Sequence, residues 1–237
     1  MSKDDVRIRQ HLLAGELHIT GRLVDASNAT LFGSCTFAGR QISVIYKPIA
    51  GERPLWDFPD GNLASREYAS YLLSELLQWQ IVPVTVLRDG PFGEGMVQQW
   101  IDIDSSIDLS AFYRTRDDRL RKMVIFDAII NNTDRKIGHL LPSQDGRVLG
   151  CDHGVTLHQD DKLRTVLWQW AGEVLAEDEK AQLRVLHEKL SSDVCEIRSL
   201  VTALEYGALL LRIERLIDTG IFPSPSEEWP AIPWPPF

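Results

Sequence analysis

Four charged residues, Lys47, Glu67, Asp134 and Asp152, stand in an order from which phosphoryl-transfer chemistry can be built. Lys47 closes the apolar run Gln41-Ile42-Ser43-Val44-Ile45-Tyr46. A lysine there either snorkels to water or meets an anion, because burying it unpaired is costly. Glu67 lies one turn into a predicted helix, where it can pair with Lys47 and hold it against the phosphates of ATP. The polar stretch Asn131-Asn132-Thr133-Asp134-Arg135-Lys136-Ile137-Gly138-His139 carries a carboxylate, Asp134, able to orient or deprotonate an attacking hydroxyl. His139, five residues on, can bind metal or phosphate. Asp152, in Cys151-Asp152-His153-Gly154, is a hard oxygen donor of the kind Mg²⁺ takes together with phosphate oxygens. Singly, each has an ordinary explanation: an exposed strand-end lysine, a solvated glutamate, a surface turn, an aspartate capping a turn. As an ordered set they point to a nucleotide site.

The elements that must position them follow from pattern and punctuation. Strands are expected over Leu17–Val24, Thr30–Phe37 and Gln41–Lys47, the last β-branched and ended by Pro48. Gly51 to Gly61 is irregular. Asn62 can cap a helix from Leu63 to about Gln78, whose apolar positions recur at helical spacing. Two further strands, Ile81–Leu87 and Gly95–Ile101, flank the turn Asp89-Gly90-Pro91. After an acidic connector, Asp102 to Ser110, a buried helix spans Asp117 to Ile130, and a short strand pair surrounds Gln144-Asp145-Gly146. Helices over Glu177–Leu190 and Asp193–Asp218 precede a Pro/Trp-rich tail that can form neither helix nor central strand.

Composition narrows the class. The chain has 237 residues, 44% of them hydrophobic and 25% charged, enough for a sizeable core in one large domain or two small lobes. A net charge of −9 and a pI near 5.2 argue against nucleic acid as a partner. There is no run of 18 apolar residues, so integral membrane association is not expected, and the first residues lack a signal peptide's apolar segment. Cys35, Cys151 and Cys195 are odd in number and widely spaced, which disfavours a disulfide framework or zinc site and suits the cytoplasm. The basic cluster Arg114, Arg116, Arg119, Arg121 and Lys122 is interrupted by two aspartates and reads as a solvated helix face.

Segments of the chain resemble the phosphatidylinositol 3-/4-kinase-like branch of the protein-kinase-like superfamily, including its small actinobacterial members; HipA-type kinases share the plan. SNATLFGSCTFAGRQISVIYKP is similar to that branch's phosphate loop, hairpin and lysine strand. REYASYLL resembles the glutamate helix, NNTDRKIGHLL the catalytic loop, and LGCDHG the metal-binding segment. The resemblance spans roughly residues 17 to 160. It implies a two-lobed α+β fold: a small β-rich N-lobe over 1–101, a mainly helical C-lobe over 102–222, and a tail over 223–237. It further implies Lys47 on the α/β-phosphates with Glu67 as its partner, Asp134 as catalytic aspartate and Asp152 as principal ligand of Mg²⁺. Ser27, Asn28 and Thr30 replace a glycine-rich loop, and Gln98, Gln99 and Trp100 lie where the family's hinge meets adenine. His139 stands where the family has asparagine as second metal ligand, and imidazole suits Mn²⁺ better than Mg²⁺. Lys136 stands where the family has histidine.

Three functions are compatible with these residues. They are an ATP-dependent kinase acting on a protein, metabolite or lipid hydroxyl, a non-catalytic nucleotide-binding module with a protein partner, and a nucleotidyl transferase. Trp56 and Phe58 read as a lid over the substrate or as packing between lobes. Trp168 and Trp170 read as core, and Trp229 and Trp234 as part of a strap on the chain's own surface or a polyproline ligand.

Overall fold

The computed structural model describes residues 3–23, 28–192 and 195–237. The N-terminal half is a five-stranded antiparallel sheet in the order β1-β2-β3-β5-β4, with β1 Glu16–Arg22, β2 Leu31–Phe37, β3 Arg40–Pro48, β4 Thr85–Gly90 and β5 Gly93–Gln99. Register pairs Ile45 with Gln98 and Lys47 with Met96, so these four side chains share one face. Val44, Tyr46 and Val97, pointing to the other face, are fully buried.

Two helices pack on this sheet. The first, α1 (Lys3–Ala14), has no counterpart in the sequence expectations, which place no element before Leu17. Its sequence alternates charges with few apolar residues, and only Asp5, His11 and Leu12 are buried. It is held by tertiary bonds instead: the His11 ring meets the Cys35 carbonyl at 2.8 Å, and Arg88 bonds the carbonyls of Leu12 and Gly15. The second, α2 (Leu63–Leu77), is as expected, with the Asn62 side chain accepting from the Ser65 amide at 2.7 Å.

The β4–β5 hairpin differs from expectation by several residues. Its turn is Pro91-Phe92, because Gly90 pairs with Gly93, which adopts φ +94°. Residues 81–84 are buried but form no strand. The Ile81 and Val82 amides go to Ser74 Oγ and the Ile81 carbonyl takes the Gly150 amide, so these groups make isolated bonds rather than a strand ladder.

The C-terminal half is mainly helical. A four-residue helix, α3 (Leu109–Phe112), precedes α4 (Asp118–Ile130), whose residues 123–130 are all buried and whose N-cap is Asp117. The two short strands β6 (Leu140–Pro142) and β7 (Val148–Gly150) form the expected hairpin. Helix α5 (Glu177–Leu190) matches expectation, but the single helix expected over Asp193–Asp218 does not form. A 3₁₀ turn, Glu196–Ser199, is followed by α6 (Ala203–Thr219). Thr202 and Glu205 make a reciprocal capping box that fixes a new start there. Asp193 and Val194 lie outside the described residues.

The tail runs as a strap over the helical half. The Ala231 carbonyl accepts from the Thr165 amide and from Trp168 Nε1, and the Pro236 carbonyl accepts from the Ile137 amide. Trp170 is core and Trp168 half-buried. Phe58 packs on Arg66 and His158, whereas Trp56 is 84% exposed with Lys162 below its ring. Among the described residues no helix is long and apolar enough to cross a membrane.

Candidate active site

The face of β3 that carries Ile45 and Lys47 looks across a cleft of about 680 Å³ onto the helical half. The far wall is Gly138, His139, Leu141, Cys151 and Asp152, and the connector Trp100–Ile103 closes one end.

Lys47 Nζ sits between two carboxylates, 2.6 Å from Glu67 Oε1 and 2.8 Å from Asp152 Oδ1. Three segments spread over 105 residues thus converge on one ammonium group. Burial alone would lower the Lys47 pKa, but the charges of Asp152 and Glu67 outweigh it and raise it, so the lysine is a fixed cation. The same cation holds Asp152 far below the usual carboxylate range. Glu67 is fully buried, and desolvation raises its pKa against the pull of Lys47. Its second oxygen is also occupied, accepting the His153 amide at 2.9 Å. Asp152 has φ +59°, a left-handed conformation that aspartate tolerates better than most residues. Its side chain remains 49% exposed toward the cleft. Strained backbone of this kind gathers at functional sites.

Asp134 follows the C-cap of α4. Its amide is fixed by Asn132 Oδ1 at 3.0 Å, and its carboxylate lies 3.3 Å from Lys136 Nζ. Burial raises its pKa, the Asp152 charge adds to this, and Lys136 and Arg164 oppose it. His139 is pushed down to about 4 by burial, so its ring is neutral. Nδ1 accepts from the Lys136 amide at 3.4 Å, which leaves the proton on Nε2, 3.5 Å from Asp152 Oδ2.

Other expected residues fall differently. Ser27 lies outside the described residues. Asn28 spends its side-chain oxygen on the Arg53 amide, tying the β1–β2 connection to the segment after β3. Thr30, Gln98, Gln99 and Trp100 line the cleft. The Gln99 and Trp100 amides, however, are bonded to the Val84 and Ser43 carbonyls, so any amide donor to a base must come from beyond Trp100.

Supporting residues not singled out by the sequence complete the site. Glu52 places both carboxylate oxygens 2.8 Å from the Leu63 and Ala64 amides, capping the helix that bears Glu67. Arg66, beside Glu67, reaches Glu205 Oε1 of α6 at 2.5 Å, with both side chains buried. Arg135 binds Asp127, the Cys151 carbonyl and His153 Nε2, linking the loops of Asp134 and Asp152. A Cβ on Gly150 would meet Arg135 Nη1 at 2.9 Å, so a larger residue there would have to displace the guanidinium from its partners. The one sequence signal available for these residues is charge at otherwise apolar helix positions, as at Asp127.

No family model matches the chain. It is, however, 41% identical over 262 aligned positions to the protein Rv2133c of Mycobacterium tuberculosis (strain ATCC 25618 / H37Rv), covering 95% of this chain and 94% of that protein. The chain belongs to the Rv2133c family. Solved structures extend the likeness at the level of fold. Hydra Fam20, solved with sugar, superposes with a TM-score of 0.59 at 13% identity, covering 92% of this chain and 88% of that one. The Golgi casein kinase with Mn/ADP bound gives 0.54 at 15% identity, covering 92% and 76%. The Helicobacter pylori proinflammatory kinase CtkA gives 0.50 at 12% identity, covering 89% and 94%. The Rv2133c-family chain therefore has a protein-kinase-like α+β fold, with the sheet N-terminal and the helices C-terminal.

Proposed function

We propose that this Rv2133c-family chain is an ATP-dependent phosphotransferase of the phosphatidylinositol 3-/4-kinase-like type, working in the cytoplasm on a protein, metabolite or lipid-headgroup hydroxyl. The observation that carries the reading is the bridge Glu67–Lys47–Asp152, which assembles a fixed cation and an exposed carboxylate on opposite walls of one cleft.

Asp152 fits a divalent metal by its chemistry: an ionised, half-exposed oxygen donor with space beside it. Among the described residues no group of three or more metal-binding side chains gathers here, so a cation on Asp152 would have to take most of its ligands from phosphates and water. His139 would join as a nitrogen ligand only after its ring proton moves to Nδ1, which costs the bond to the Lys136 amide. Bound there, Mg²⁺ or Mn²⁺ supplies positive charge to neutralise the phosphoryl oxygens.

The chain's own residues do the rest. Lys47, held by Glu67, binds the donor's phosphates, and His139 Nε2–H faces the same anions. Asp134, whose raised pKa makes it the stronger base, takes the proton of the acceptor hydroxyl as the oxygen attacks. Most of the rate gain comes from this fixed geometry and charge.

The test is incubation with ATP and Mg²⁺ or Mn²⁺ beside the variant Asp134→Asn. ADP from wild type alone supports phosphoryl transfer. AMP-linked protein with pyrophosphate makes it a nucleotidyl transferase, and bound nucleotide without an Asp134-dependent product makes it a binding module for a protein partner.

A further inference from the structure

Gln98 lies in the cleft but takes no part in holding phosphate or accepting a proton. Its place is fixed by register: it pairs with Ile45 on β3 and with Thr85 on β4, two residues from the Lys47–Met96 pair. At about 3.3 Å per residue, that puts it roughly 7 Å along the strand from the phosphate-binding lysine. Around it the cleft is lined by Leu23, Ile45, Ile101, Ile103 and Leu141, an apolar slot suited to a flat ring rather than to phosphate.

The Gln98 amide cannot turn freely. Thr85 Oγ1 donates its single proton to the Pro83 carbonyl at 2.8 Å, so toward Gln98 it can only accept. Gln98 Nε2 fills that role at 2.9 Å. The amide oxygen is thereby turned away from Thr85. Gln98 is 5% exposed, and among the described residues Oε1 has no hydrogen-bond donor. Its donor must come from the cleft that Gln98 lines, from water or from a ligand.

Resting on the phosphotransferase reading, we propose that Gln98 selects the base: its oriented amide oxygen accepts a hydrogen bond from the exocyclic amino group of a 6-aminopurine. The same oxygen opposes the 6-oxo group of guanine or hypoxanthine, acceptor against acceptor. Discrimination by a dedicated polar group is strong because the mismatched base leaves that group unpaired. Thr85 acts as a positioning residue that sets the direction of the preference.

Equilibrium binding of ATP, inosine triphosphate, GTP and purine riboside triphosphate to wild type, each with Mg²⁺, tests this without any substitution. ATP should bind about tenfold more tightly than purine riboside triphosphate, which lacks the amino group, and more tightly still than the two 6-oxo nucleotides. Gln98→Leu, close in volume, should erase the difference between ATP and purine riboside triphosphate. Thr85→Val should free the amide to flip and narrow the ATP-to-GTP ratio. Equal wild-type affinity for ATP and purine riboside triphosphate overturns base selection by Gln98 while leaving the phosphotransferase standing. Binding of no triphosphate at all overturns both. If ratios in folded Gln98→Leu match wild type, the amide oxygen is not the selecting group.

Discussion

Arg135 and Asp127 form a closed ion pair with neither side chain exposed: Nε lies 3.1 and 3.0 Å from the two carboxylate oxygens, and Nη2 lies 2.9 Å from Oδ1. The pair joins α4 to the loop of Asp134 that follows it, and through His153 and the Cys151 carbonyl it reaches the segment carrying Asp152. His153 stays neutral there: burial, and then the Arg135 charge, hold its pKa well below the usual value.

Removing one partner strands the other charge in the core. Asp127→Ala should therefore cost about 3–5 kcal/mol of stability. Arg135→Lys should rescue little, since an ammonium cannot serve the carboxylate, the carbonyl and the imidazole in one plane. Chemical denaturation of the three proteins checks this. A loss under 1 kcal/mol for Arg135→Lys would show the fork geometry to be dispensable.

The Arg66–Glu205 pair ties α2 to the helical half, one residue from the Lys47 partner Glu67. Trp79 Nε1 on Gln182 and Lys189 on the Leu76 carbonyl hold the other end of the helix. Glu205→Gln keeps a hydrogen bond but weakens the hold, and a shift of 1 Å at Glu67 can cost on the order of 100-fold in rate. The expected result is a kcat loss larger than any change in KM for ATP, with the chain still folded. An unchanged kcat would mean that the position of α2 is set elsewhere.

What could be read from the sequence was local. Lys47, Glu67 and Asp152 were legible only as an ordered set, since each alone has an ordinary explanation, and the capped helix Leu63–Leu77 carries its own start signal in Asn62. The tail was legible only as neither helix nor central strand, which proline forbids; its packing as a strap rather than as a polyproline ligand was not. Helix α1 was not, since its stability comes from bonds to Cys35 and Arg88 far away in the chain. Nor was the broken helix before Ala203, where Thr202 and Glu205 compete with a continuous apolar period and win. The Glu52 cap and the Thr85–Gln98 relay depend on contacts across 11 and 13 residues that no periodicity encodes.

The strap makes a local prediction. Deleting residues 235–237 removes the Pro236 carbonyl from the Ile137 amide but leaves Ala231 on Thr165 and Trp168. Hydrogen exchange should quicken at Ile137, beside Gly138 and His139, and stay unchanged at Thr165. Equal protection of Ile137 in both proteins would mean that the strap does not restrain the loop between Asp134 and His139.

Asp134 should show a conflict between function and stability. Burial raises its carboxyl pKa above the unfolded value of about 3.9. A group raised in this way contributes its full stability below the unfolded pKa and loses it as pH climbs through the folded pKa. At pH 7 the ionised Asp134 is therefore a burden on the fold, only partly relieved by Lys136 at 3.3 Å. Asp134→Asn, of the same shape and without charge, should melt no lower than wild type at pH 7, and its advantage should shrink as pH falls toward 4. Phosphotransferase activity should drop by roughly 100- to 10,000-fold, the range for loss of a positioned general base. Melting curves from pH 4 to 8, read beside ADP release, test both halves. A variant that melts well below wild type at pH 7 would show that the carboxylate is held for structure, and full activity in the variant would remove Asp134 from the chemistry.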